Sequence, residues 1–160
     1  MKNLNKVGFA AMLVMAAGLA QAQIPQYGAN ITVEMARKAA MAADVEAKKN
    51  GWPMAIAIVD TAGQLVYFQR AENTQTASIQ VSQDKAVSAA MYRRPTKAFQ
   101  DVLAKGAEGW RVLTLRNANA VEGGLPLVVD GKIIGAIGIS GAAADQDGIV
   151  AKAGAEGMLK

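Results

Sequence analysis

The sequence predicts an α+β fold in which helices flank a central antiparallel sheet, and three observations carry that prediction. Met54 to Asp60 and Leu65 to Arg70 are β-forming runs joined only by Thr61-Ala62-Gly63-Gln64. Leu125 to Val129 and Lys132 to Ser140 are joined by Asp130-Gly131, a hairpin turn signal. Helix-like segments lie before, between and after these two hairpins. Strands joined by so few residues pair antiparallel, which excludes a doubly wound nucleotide fold.

The elements follow in order. Residues 1–22 read as a cleavable export signal. Lys2 and Lys6 open it, Val7 to Leu19 is apolar, and Ala20-Gln21-Ala22 offers a small-x-small cleavage site. The apolar run is shorter than the ~20 residues that a bilayer core requires. A periplasmic or secreted protein beginning at Gln23, with no membrane span after processing, is the expectation. Residues 23–31 have no clear period and are expected to be a mobile arm. A single domain then runs over 32–160.

Thr32 is placed to cap a helix over Val33 to Lys49, which Asn50-Gly51 ends. After the first hairpin, a second helix is expected from about Ala77 to Tyr92. Arg94-Pro95-Thr96 breaks it, and Thr96 can cap a short helix through Leu103. Residues 106–119 carry a weak pattern, with an extended piece expected near Val112 to Leu115. Gly135 and Gly138 lie inside the last strand, where close helix-on-sheet packing is expected. Ala142 to Leu159 reads as the closing helix.

Composition excludes several chemistries. The chain has no Cys and no His. That removes disulfides, the Ser-His-Asp triad and an ordinary zinc site, so no metal centre is expected. Loss of Lys2 and Lys6 leaves 15 basic residues of 17 against 13 acidic ones. No basic run is long enough to suggest nucleic acid as a partner. Whether the protein is an enzyme stays open at this point.

The candidate site residues each have two readings. Lys85 and Arg93 are two helical turns apart and share a face, and Arg94 adjoins them. Such cations suit a carboxylate or phosphate, or they complement the helix dipole. Glu122-Gly123-Gly124 either lets a ligand approach the backbone or makes a turn before a strand. Asp145 and Asp147 suit solvated acids at a helix start better than a cation site. Tyr67, Tyr92 and Met91 are side chains able to ligate haem iron. Glu122 or Tyr67 could move a proton.

Several stretches together resemble the GlcG/HbpS family, a haem-degrading or haem-binding domain. They are Lys49 to Asp60, Gly63 to Arg70, Lys85-Ala86, Arg94-Pro95-Thr96, Gly123 to Leu127, Asp130 to Gly141, and Asp145-Gln146-Asp147. The resemblance covers about residues 30–158. It implies an α-β-α sandwich similar to profilin-like folds, and a homo-oligomer. It implies an exported small-ligand-binding protein, with haem or a related tetrapyrrole as the ligand. An alternative implied role is that of an enzyme or accessory protein for a small hydroxy- or oxo-acid in catabolism. The chain departs from relatives that hold haem through histidine, since it has none.

Overall fold

The computed structural model describes residues 24–160, so the expected leader and its cleavage site lie outside the described residues. The element order is β1 (Gln26–Tyr27), α1 (Val33–Lys49), β2 (Ala55–Val59), β3 (Leu65–Arg70), α2 (Ser78–Tyr92) and α3 (Lys97–Leu103). A 3-10 helix (Ala107–Thr114), β4 (Gly124–Val129), β5 (Lys132–Ser140) and α4 (Ala144–Gly157) complete it. Both expected hairpins form, β2 with β3 and β4 with β5. They join where β2 and β5 pair antiparallel, with Ile56 opposite Ile139 and Ile58 opposite Ile137.

Alternation along these strands sorts the side chains between two layers. Ile56, Ile58, Ile137 and Ile139 enter the core that α1 and α4 cover. Those helices present mainly small residues to it, among them Ala36, Ala40, Ala43 and Ala151. Ala57, Val59 and Ala136 face the other way, against Ala86, Ala89 and Ala90 of α2. The sheet is thus enclosed between helices, as the fold class requires.

The α2 side is the tighter layer. Gly138 lies against the backbone of α2, and a Cβ there would collide with the Ser82 carbonyl oxygen. This is the close packing that glycine within the strand predicts. Ser78 and Ser140 join helix to sheet through a buried hydroxyl hydrogen bond of 2.9 Å.

Local signals set the first helix. The Thr32 hydroxyl accepts from the Met35 N–H at 3.2 Å, and Gly51 leaves the helix at φ 69°. Three expectations differ from the structure. Part of the expected mobile arm is ordered into the sheet as β1, which runs parallel to the start of β5. The Gly28 and Ile31 N–H groups donate to Ile133 and Ile134, each at 2.7 Å. The Tyr27 hydroxyl also donates to the Ala90 carbonyl at 2.8 Å. Residues 107–114 coil into a 3-10 helix where an extended piece was expected around Val112. Thr96 precedes α3 but does not cap it, because its hydroxyl accepts from the Gly124 N–H at 2.9 Å.

Candidate functional site

Lys85 is one of the most buried side chains among the described residues, at 1% exposure. Helix α2 carries it to the end of the sheet where β4 begins and β5 ends. There its ammonium donates to Asp147 Oδ2 at 2.6 Å. Asp147 stands in the first turn of α4 at 2% exposure, and its other oxygen accepts from the Ala142 N–H at 3.2 Å. Burial pushes the Asp147 carboxyl above its ordinary range, against the pull of the Lys85 ammonium. The pair ties α2 to α4. Asp147 is therefore not the solvated helix-start acid expected, whereas Asp145 is exposed.

Gly123 lies directly over this pair. Its φ is +123°, and a Cβ would fall 3.0 Å from Lys85 Nζ and 2.8 Å from Asp147 Cβ. Only a residue without a side chain lets the strand pass here. Gly124 sits equally close to the Lys85 backbone and is held by Thr96 through reciprocal hydrogen bonds. The Gly-Gly pair thus has a packing reason.

Beside the Gly-Gly pair lies a cleft of about 240 Å3. Pro95, Leu125 and Ala151 give it apolar lining, and Gly123, Gly124 and Gly148 give it bare backbone. Lys97, Lys152 and Glu122 supply charge. Lys97 donates to Asp101 at 2.8 Å and lies 3.8 Å from Glu122. The hydrogen bond to Asp101 raises the Lys97 ammonium above its ordinary range. Lys97 and Lys152 had not been singled out by sequence reasoning. Neither sits in a distinctive motif, and only the approach of α3 and α4 to β4 joins them.

The other candidate residues lie apart from this cleft. Arg93 takes a left-handed conformation at the end of α2, and its guanidinium lies 5.5 Å from the Tyr27 ring centroid. The expected shared face of Lys85 and Arg93 is broken by that turn and by the burial of Lys85. Arg94 lies 5.6 Å from the Phe99 centroid. Tyr92 packs edge-on against Phe99 and donates to the Arg116 carbonyl at 2.6 Å. Met91 is 46% exposed, and its sulfur accepts from Asn117 at 3.5 Å. Tyr67 is half-buried on β3, against the core under α1 and α4. The cationic residues thus meet different partners: Asp147, Tyr27 and Phe99.

Comparison with known proteins gives this arrangement a context. A family model described as "Haem degrading protein HbpS-like" matches residues 31–156. Protein GlcG of Escherichia coli K12 is 38% identical over 110 residues, 69% of this chain and 81% of its own length. A crystal structure of a double mutant of Streptomyces reticuli HbpS is similar at 30% identity and a TM-score of 0.72. The match covers 92% of this chain and 97% of that one. A crystal structure of a PduOC:haem complex is similar at 25% identity and a TM-score of 0.72, covering 80% of this chain and 94% of that one. The fold, the length matched and the identity agree, and this chain belongs to the HbpS-like family.

Proposed function

We propose that this protein is exported and, as a homo-oligomer, binds haem or a related tetrapyrrole in the cleft beside Gly123 and Gly124. The observation that carries the ligand is the likeness to the PduOC:haem complex, within a family described as haem-degrading. The leader pattern of residues 1–22 supports export to the periplasm or beyond.

Among the described residues no tyrosine or methionine lines the cleft, so a haem there would be held by its ring and its carboxylates rather than by a Tyr or Met ligand to iron. Tyr27 and Tyr92 already commit their hydroxyls to carbonyls, and Met54 and Met158 are buried in the core. Pro95, Leu125 and Ala151 would meet the apolar ring, and Lys97 and Lys152 would pair with its carboxylates. When bound, haem would supply a redox-active iron. The cleft is smaller than the ~300–1,000 Å3 of sites that enclose a drug-sized ligand. One chain would therefore grip one edge of a tetrapyrrole, which supports a second copy covering the rest.

A haemin absorbance titration tests the reading. A saturable Soret shift, weakened roughly fivefold to tenfold by Lys152→Glu, is the expected result. The small cleft volume favours a second reading, a small hydroxy- or oxo-acid held by the same lysines with Glu122 beside it. Calorimetry with two- and three-carbon hydroxy acids distinguishes the two.

A further inference from the structure

A second groove, on another side of α3, has the chemistry of an anion site. It measures about 260 Å3 and lies between α3 and the 3-10 helix. Phe99, Val102, Val112 and Leu115 line it together with Arg94 and Arg111. Among the described residues neither arginine pairs with a carboxylate. Arg94 donates to the Tyr92 carbonyl and Arg111 to the Glu108 carbonyl, main-chain acceptors that leave the cationic charge uncompensated. The lysines of the first cleft differ, since Lys97 and Lys152 each have acidic neighbours within 4 Å.

The surroundings reinforce the charge. Residues 93–116 hold six cations (Arg93, Arg94, Lys97, Lys105, Arg111 and Arg116) against Asp101 and Glu108. Asp101 is engaged by Lys97. The positive surplus of the chain thus falls in the segment that carries this groove. Planar guanidiniums beside an apolar lining recognise a carboxylate attached to an apolar body.

We propose that the Arg94–Arg111 groove binds an amphipathic carboxylate, its acid group held by the two guanidiniums and its apolar part against Phe99, Val102 and Leu115. Two sources share that chemistry: a free aliphatic acid, or the carboxylate edge of a tetrapyrrole. The groove stands independently of the cleft beside Gly123.

The test is calorimetric titration of the purified protein with decanoate, with decan-1-ol as the uncharged comparison. Decanoate is expected to bind saturably and decanol not to bind. Arg94→Gln and Arg111→Gln should each weaken decanoate binding at least tenfold, and Lys105→Gln, outside the groove lining, should weaken it less than twofold. Absence of saturable binding, equal binding of decanol, or wild-type affinity in both arginine variants would overturn the proposal. A parallel haemin titration identifies the source. Weakened haemin binding in Arg111→Gln assigns the groove to the tetrapyrrole edge; unchanged haemin binding assigns it to a free acid. If haemin fails to bind while decanoate binds, the haem reading falls and the groove stands.

Discussion

At Asp147 a single carboxylate holds two layers of the molecule together. Removing a partner from a buried ion pair strands the other charge where water cannot reach it. Asp147→Asn is therefore expected to cost about 3–5 kcal/mol in urea denaturation, while Lys85→Met with Asp147→Leu recovers most of that loss. Equal destabilisation by the single and double variants would show that the pair is not the cause. The two residues stand 62 positions apart, on different helices. Lys85, Gly123 and Gly124 drew attention in the sequence by residue type and motif, but no local spacing joins Lys85 to Asp147. Read locally, Lys85 is a candidate ligand-binding cation and Asp147 a solvated helix-start acid; only the tertiary approach of α2 to α4 makes them a buried pair.

The elements divide according to how much of their stabilisation is local. Both hairpins and the long helices were legible because turn residues, caps and apolar periods lie within each segment. Gly138 was legible too, since a glycine inside an apolar strand has few other uses than close approach. Strand β1 was not, because two residues carry no period and its hydrogen bonds come from β5. The 3-10 helix was missed for a related reason: its ordering depends on packing against α3. The Tyr27 hydroxyl helps anchor β1 to the end of α2. Tyr27→Phe should thus cost about 0.5–1.5 kcal/mol. Amide exchange at Gly28 and Ile31 should be slow in the wild type and faster in that variant. Rapid exchange at both amides in the wild type would contradict the docking of β1.

For the whole molecule, α1 and α4 cover one face of the sheet and α2 the other, leaving two separate recesses around α3. Neither recess is large enough to enclose a tetrapyrrole, and the proposed haem site therefore calls for assembly. Light scattering on the purified protein is expected to give a multiple of the chain mass, and a monomer at all concentrations would contradict that part of the account. Among the described residues no helix is long and apolar enough to cross a membrane. Family membership was legible because its motifs are spread along the whole domain. The identity of the cleft was not, because its lysines belong to no motif.

Haemin titration followed in the Soret band, on wild type and Lys152→Glu side by side, asks whether the chain binds haem and whether it does so beside Gly123. A saturable shift without a histidine-type spectrum is expected, weakened by the charge reversal while the fold is retained. No saturable shift in the wild type would contradict haem binding, and an equal shift in both proteins would contradict the cleft as its place.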